Sequence, residues 1–321
     1  MKINSIQNYN FKGYDALPLK AIHIQTRTAD SFFWELEEVG KKEGFEIKYS
    51  NDFVKWSQDH KTIVERRKRP FMLASRLFGE TSLEAIKKKY KISGTIPPNY
   101  VAGGNCFIGK YPYGEKWMMV GEEDCYFGTK PIAKDYDIKA KNVIPIPQQD
   151  FHLDMFMRPI GYPYVLVNNP KLVEEKIKEL NKDGKFNELE QNFLKKEQER
   201  QMEYSSFKKT IKALKKAGFE PIEVAGVFGS GINFMNAIVN QHSNGKISYI
   251  TNGTMSLNGR KNVFQEIFEE ELRQKTPDVD KVYFINGVLN PEDNFLMREL
   301  DRFDGGLHCM TTEEPNFRMW V

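Results

Sequence analysis

The sequence predicts an α/β fold, because short apolar strands alternate with amphipathic helices along its 321 residues. One segment shows both patterns: Phe207, Ile211 and Leu214 recur at helical spacing, and Gly218 then ends the helix before the next strand. Glycine-rich turns recur at quasi-regular distances. This recurrence favours a ring of repeated strand-helix units with the functional loops at one end.

The other elements follow the same alternation. Apolar periodicity predicts a strand at 19–25, a helix at 29–45 that ends at Gly44, a strand at 46–50, a further unit at 82–105, strands at 248–253 and 281–287, and a helix at 262–275 between them. Residues 171–206 differ, since they are dense in Lys and Glu with sparse apolar positions. They predict one or two exposed helices standing off the core, as a charged insertion within a single domain spanning 1–321. A solvated surface is the preferred interpretation; a lid over the active site and an oligomer contact are the alternatives.

Composition narrows the class of protein. Hydrophobic residues make up 40% and charged residues 28%, which is ordinary for a soluble globular chain. A formal net charge of +3 gives no indication of nucleic acid or membrane as the main partner. The basic run at 65–70 is interpreted as a solvated loop or helix end, with a docking patch for an acidic partner as the alternative. No stretch approaches the roughly 18 apolar residues that span a bilayer.

The three cysteines, Cys106, Cys125 and Cys309, form no C-x-x-C pair and are odd in number. This argues against a disulfide framework or a Cys-rich zinc site. We therefore expect a cytoplasmic protein, since the N-terminus also has no apolar secretory region. In a reducing compartment a lone cysteine can serve as a nucleophile.

The most informative histidine is His152, which lies two residues before Asp154 at the end of an apolar run. On a strand these two side chains would share a face, which suits general acid/base chemistry beside a cationic substrate. A satisfied pair at a half-buried strand edge is the alternative. Asp59 stands between two strand-like apolar stretches. His308 precedes Cys309 directly, and its preferred interpretation is structural.

Four motifs carry a family resemblance. "VAGGNCFIGKYPYGEKWMMVGEED", "DFHLDMFM", "SGINFMNAIV" and "FDGGLHCMTTEEP" occur in an order and spacing that resemble the guanidino-group-modifying enzymes, or penteins. The last motif looks most like agmatine deiminase, and the His-Leu-Asp motif is closer to arginine deiminase. The resemblance runs from about Asp59 to Met310, interrupted by 171–206. It implies a five-fold pseudosymmetric α/β-propeller of ββαβ units around a central channel.

The resemblance also implies roles for particular residues. Cys309 would be the nucleophile and His152 the general acid/base. Asp59 and Asp154 would hold the guanidinium, although the arginine that flanks Asp59 in the family is absent here. Asn105 would also face the substrate, in a position where some relatives carry aspartate.

A further carboxylate is expected beside the catalytic histidine. Glu122, Glu123 and Asp124 follow an apolar run that ends at Val120. Glu123 is preferred over Glu122 for this role because its offset from the strand fits better.

The implied activity is that of a cysteine-dependent deiminase. It would act on a small guanidino compound such as agmatine or arginine through a covalent thiouronium, releasing ammonia and a ureido product without metal or organic cofactor. The alternatives are an amidinotransferase, a protein-arginine deiminase and a non-catalytic binding protein of the same fold. The sequence leaves the oligomeric state open, with a homo-oligomer as one option.

Overall fold

The computed structural model describes residues 18–25, 31–50, 56–67, 69–182, 184, 188–204, 206–229, 232–242, 244–253, 263–276, 278–285 and 306–316. Within these ranges the chain is a mixture of helices and strands, as the sequence predicts. No helix among them is long and apolar enough to cross a membrane.

The helices in the described residues are α1 (Ser31–Glu43), α2 (Ser57–His60), α3 (Glu80–Tyr90), α4 (Thr129–Tyr136), α5 (Pro170–Lys182), α6 (Glu188–Tyr204), α7 (Phe207–Lys216) and α8 (Val263–Lys275). The strands are β1 (Leu19–Gln25), β2 (Glu46–Ser50), β3 (Lys61–Arg66), β4 (Arg69–Ala74), β5 (Ser93–Thr95), β6 (Cys106–Lys110), β7 (Lys116–Gly121), β8 (Val143–Ile146), β9 (Met157–Gly161), β10 (Tyr164–Asn168), β11 (Glu220–Val224), β12 (Val227–Gly229), β13 (Ile232–Asn233), β14 (Ala237–Gln241), β15 (Ile247–Asn252), β16 (Val279–Ile285) and β17 (Thr311–Pro315).

Among the described residues, five three-stranded sheets share one pattern of connection. Their orders are β17-β1-β2, β3-β4-β5, β6-β7-β8, β9-β10-β11 and β14-β15-β16. In each sheet the central strand is antiparallel to the first strand and parallel to the third. A parallel pair needs a crossover, and helices supply it in every unit: α1, α3, α4, the α5 to α7 series and α8. The repeated strand-helix units predicted from the glycine spacing are therefore present.

Apolar side chains join most of the neighbouring sheets. One buried cluster combines Ile63 of β3 with Met118 of β7, and another combines Met119 of β7 with Val165 of β10. Two more clusters link β10 to β15 and β15 to β1. Between β17 and β3 the contact is polar, since the Thr312 hydroxyl donates to the Lys61 carbonyl at 3.5 Å. The core is thus divided among the interfaces between sheets.

The predicted helix ends at Gly44 and Gly218 are confirmed. Both glycines have a positive φ, +81° and +85°, the left-handed conformation in which glycine commonly ends a helix. The expectation that residues 171–206 stand off the core is wrong. Val173, Ile177, Leu180 and Leu194 are buried in the cluster under β10, because α5 and α6 form part of that sheet's crossover.

Candidate active site

The loop that carries Cys309 is held by two asparagine side chains. The Leu307 N–H donates to Asn252 Oδ1, and the His308 N–H donates to Asn236 Oδ1, each at 2.8 Å. A Cβ on Gly306 would lie only 2.7 Å from Asn252 Oδ1, so this close approach requires glycine. Gly306 thus lets the turn that carries Cys309 pack directly against the two asparagines; Gly305 lies outside the described residues.

The thiol of Cys309 is buried, with 2% of the residue exposed. Its Sγ accepts from Asn236 Nδ2 at 3.1 Å and donates to Asp154 Oδ2 at 3.3 Å. Burial, followed by the charges of Asp154 and Asp59, raises the pKa of this thiol well above its usual value. In the free protein the sulfur is consequently a neutral thiol, and a cation bound between the two carboxylates would favour the thiolate.

Behind the thiol lies a buried chain of charged groups. His308 Nδ1 contacts Asp154 Oδ2 at 2.7 Å, and its Nε2 lies 3.7 Å from Glu313 Oε2. Arg158 Nη2 donates to Glu313 Oε1 at 2.8 Å. Burial and Arg158 lower the pKa of His308, but Asp154 and Glu313 outweigh them, so this pKa is raised. The imidazole therefore orients Asp154, whose second oxygen is left for another partner.

Asp59 and His152 lie on the other side of Gly104. His152 Nδ1 is 3.6 Å from Asp59 Oδ1. A Cβ added to Gly104 would lie 2.8 Å from His152 Nδ1, 3.0 Å from Asp59 Oδ1 and 3.2 Å from Asp154 Oδ1. These three atoms therefore converge on the backbone of one glycine. The side chains of His152 and Asp59 are 17% and 22% exposed, so this side of the site faces solvent.

The convergent oxygens lack partners. Oδ1 of Asp59 and Oδ1 of Asp154 are buried and accept no hydrogen bond within the part of the chain that the structure describes. Burial raises the pKa of Asp59 to about 6, with a further contribution from Asp154. Buried carboxylate oxygens without donors are costly, and a planar cation with several N–H groups would satisfy both.

One local prediction about these residues needs correction. Asp59 lies in α2 (Ser57–His60) directly before β3, and residues 51–55 on its other side lie outside the described residues. His152 and Asp154 do not share a strand face: Leu153–Met155 is a turn of 3₁₀ helix, and only His152 has extended backbone. The two side chains still meet at Gly104, because the turn directs Asp154 inward beneath His152.

The remaining predicted residues lie at the rim. Asn105 is buried, but its Nδ2 donates to Asp124 Oδ2 at 2.8 Å. Glu122 and Glu123 are exposed, and the Glu123 N–H donates to Gln148 Oε1 at 3.3 Å. Among the described residues, the carboxylate within 4.0 Å of His152 belongs to Asp59. The role of Glu123 stays a prediction.

Sequence reasoning missed Asn236 and undervalued His308. Asn236 lies within the quoted motif "SGINFMNAIV", but nothing in that motif shows that its amide would hold both the loop backbone and the thiol. His308 was interpreted as structural because neighbours on a loop usually point apart. Here both side chains reach Asp154, since residues 306–310 form a turn closed by the Met310 N–H on the Gly306 carbonyl.

No group of three or more His, Cys, Asp or Glu residues in the described ranges is arranged to hold a metal ion. The three cysteines are free thiols. In the part of the chain that the structure describes, the ionisable groups grouped around the Cys309 thiol include the carboxylates of Asp59 and Asp154 and the imidazoles of His152 and His308.

Solved structures share this fold along almost the whole chain. A C. jejuni agmatine deiminase matches with a TM-score of 0.58 at 14% identity, over 95% of this chain and 96% of that chain. The chain has the fold of the guanidino-group-modifying enzymes. A variant of the C. jejuni agmatine deiminase with substrate bound gives 0.53 at 13% identity, over 94% and 95% of the two chains. An amidinotransferase from Microseira wollei, in a saxitoxin biosynthetic pathway, gives 0.52 at 10% identity, over 96% and 98%.

The resemblance inferred from four short motifs is thus confirmed at the level of fold. No family model and no curated protein matches the sequence. At 10% to 14% identity these guanidino-group-modifying enzymes share architecture with the chain, and its chemistry has to be argued from its own residues.

Proposed function

We propose that the protein is a cysteine-dependent deiminase of a small guanidino compound. The observation that carries the proposal is the pair of unpartnered oxygens on Asp59 and Asp154, which face each other beside the thiol of Cys309. A guanidinium presents N–H donors in one plane and keeps its charge at any physiological pH. It would satisfy both carboxylates and bring its central carbon to the sulfur.

The first chemical step forms a carbon–sulfur bond. Cation binding offsets the two carboxylate charges that raise the pKa of Cys309, so the thiol gives up its proton, by way of solvent, to the His152 imidazole, and Asp154 stays ionised against the guanidinium. The thiolate then attacks the guanidinium carbon, which gives a tetrahedral adduct. The Asn236 amide, donating to Sγ at 3.1 Å, stabilises the anionic sulfur before attack.

His152 is proposed as the proton carrier. It protonates the departing amino group, the carbon–nitrogen bond breaks, and ammonia leaves a thiouronium on Cys309. The same imidazole then accepts a proton from water as the oxygen adds to the carbon. The carbon–sulfur bond then breaks while the hydroxyl of the adduct gives its proton to ammonia through solvent, which releases the ureido product and the thiolate. Asp59, at 3.6 Å, orients the His152 ring through Nδ1.

The proposed function is accompanied by two proposals about the structure. The five ββαβ sheets are arranged as a five-fold propeller around the channel that contains the site, as one domain over 1–321. A small guanidino substrate enters from the side on which His152 and Asp59 are partly exposed.

An amidinotransferase is the second candidate, favoured by the match to the Microseira wollei enzyme. It would form the same thiouronium but pass the amidino group to an acceptor amine instead of water. The residues around Cys309 serve both reactions, so the products must distinguish them.

The test is turnover with agmatine, arginine, methylated arginines and an arginine-containing peptide, measured as ureido product and ammonia. We expect one class of compound to react in the wild type and none in Cys309→Ala. Amidino transfer to an added amine, with no ureido product, would replace the deiminase with the second candidate. No reaction with any compound would reject both.

A further inference from the structure

A basic cavity lies at the opposite ends of two strands that lead away from the candidate active site. It has a volume of about 920 Å³ and is bounded by β3, β4, the end of α3 and the end of β17. Its charged lining consists of Lys20, Arg66, Arg67, Arg69, Lys91 and Glu314. Five cations and one carboxylate give the lining a net charge of +4, against +3 for the entire chain.

Most of this positive charge is not neutralised by the protein. Glu314 is fully buried and already shared by Lys20, Lys48 and His23 at 2.5 to 2.8 Å. In the described residues, Arg67, Arg69 and Lys91 have no carboxylate within 4.0 Å.

The guanidinium of Arg66 packs over the Phe71 ring at 4.4 Å and donates to the Asp135 carbonyl at 2.5 Å. Its Nε is buried without a hydrogen-bond partner in the described residues. The two contacts fix the Arg66 guanidinium in the wall of the cavity.

Two of the cations have a left-handed backbone conformation, in which other residue types are usual. Arg66 pairs with Arg69 across the β3–β4 hairpin. Arg67 is the first residue of the turn between them and has φ +51°. Tight hairpins of this kind favour Asn or Gly at such positions. Lys91 has φ +54° at the end of α3, where glycine is the usual residue. Placing long cations there costs backbone free energy, and both face the same cavity.

We propose that this cavity binds a small organic or inorganic anion that carries two or more phosphate groups. Arginine forks match phosphate oxygens in bidentate geometry, and three of the five cations are arginines. The volume is that of a small-molecule site, whereas a nucleic acid or acidic protein would need an extended surface.

The phosphate site is separate from the guanidinium site. Asp59 lies in α2, two residues before β3 begins, and Arg66 is the last residue of that six-residue strand. At about 3.3 Å per residue, β3 separates the backbone at its two ends by about 17 Å. Likewise β17 begins just after Cys309 and ends at the cavity with Pro315.

The test is calorimetric titration of the full chain with tripolyphosphate near physiological salt. The test variant is Arg67→Asn with Lys91→Gly; both replacements suit the left-handed backbone, so thermal stability should be equal or higher. The control is Lys215→Gln with Lys216→Gln, which removes the same charge from the exposed face of α7.

We expect wild type and control to bind one equivalent, and the test variant to bind at least about ten-fold more weakly, because hydrogen bonds to charged groups are of that strength. Equal binding by all three proteins would overturn the proposal, as would no binding by the wild type. Binding of a single-stranded oligonucleotide or polyglutamate through Arg67 and Lys91, without binding of tripolyphosphate, would also overturn it.

Discussion

The two ends of β3 and β17 carry opposite surpluses of charge. At one end Asp59 and Asp154 expose unpartnered carboxylate oxygens to a site beside Cys309. At the other end Arg67 and Lys91 stand without carboxylates among the described residues. Stability alone would favour pairing charges within the protein, so unpaired groups of one sign indicate where an oppositely charged ligand belongs.

The two ends also differ in burial. The acidic end is enclosed by a hydrogen-bonded network, in which Asn236 and His308 hold the thiol and Asp154 with 2.7 to 3.4 Å contacts. The basic end is open, and its cations extend into a wide cavity. Buried charge changes pKa values strongly, whereas exposed charge mainly attracts ions. We therefore assign chemistry to the first end and binding to the second.

The largest effect is expected from Asp154→Asn. The amide cannot offer the guanidinium a charged oxygen, so turnover should fall by about 10²–10³-fold, as when one preorganised electrostatic partner is removed. The pKa of Cys309 should fall too, because Asp154 raises it. Steady-state kinetics and the pH dependence of alkylation by chloroacetamide measure these two changes.

A matched control for that variant is Asp124→Asn, which removes an exposed carboxylate from the same rim. Equal loss of turnover in both variants would mean that negative charge at the mouth, and not contact with the thiol, is what matters.

Gly104→Ala should have the next largest effect. The new Cβ would occupy the point on which His152, Asp59 and Asp154 converge, with contacts of 2.8 to 3.2 Å. We expect kcat/KM to fall by about 10–100-fold, because displacing catalytic groups by about 1 Å lowers the rate by factors of that size.

Gly114→Ala provides the contrast for this variant. Gly114 has φ +88° with open space around it, so alanine there strains the backbone without entering the site. It should lower thermal stability and leave kcat/KM unchanged. If instead Gly104→Ala retains wild-type kcat/KM, the guanidinium does not occupy this position.

The pH profile gives a smaller, graded effect. Burial raises the pKa of Asp59 to about 6, and the ionised form is needed to hold a guanidinium. The logarithm of kcat/KM should therefore decline below about pH 6 with a slope approaching one. A profile that stays flat down to pH 5 would remove Asp59 from substrate binding.

The raised pKa of Asp59 should also affect the stability of the fold, but in the opposite direction: higher pH favours activity and disfavours the folded state. The folded protein binds the Asp59 proton more tightly than the unfolded chain does, whose carboxyl titrates near pH 4. The contribution of this group to the free energy of unfolding should thus decrease as pH rises from about 4 to about 6.

The smallest effect concerns the rim carboxylates. Glu123→Gln should change the pH dependence of turnover if Glu123 assists His152, whereas Glu122→Gln should not. Both side chains are exposed, so we expect no more than a few-fold change in rate. Indistinguishable pH profiles for the two variants would mean that Asp59 alone, and neither Glu122 nor Glu123, assists His152.

Much of the fold could be predicted because local patterns agree with it. The helices that end at Gly44 and Gly218 combine an apolar face with a terminating glycine, so periodicity and cap point to the same boundary. The helices within 171–206 could not be placed, because their few apolar residues give little indication of a partner. Only the structure shows that Ile177 and Leu180 reach the core.

The candidate site was predictable where residue type limits the chemistry. Cys309 and His152 are uncommon residue types in short motifs with a clear reactive role. The charge chain through His308, Glu313 and Arg158 was not predictable, because the contacts of His308 with Asp154 and of Glu313 with Arg158 join residues 154 and 155 positions apart. The basic run at 65–70 showed its charge in sequence, but not the cavity that Lys20 and Lys91 complete.

The most direct test of the account compares alkylation by chloroacetamidine and chloroacetamide, two reagents of similar size that differ in charge. We expect the amidinium reagent to modify Cys309 far faster, because it binds between Asp59 and Asp154 and lowers the thiol pKa. Mass spectrometry should locate the adduct on Cys309, with Cys106 and Cys125 unmodified. Equal rates for the two reagents, or preferential modification of Cys125, would contradict the assignment of Cys309 as a nucleophile for cationic guanidino substrates.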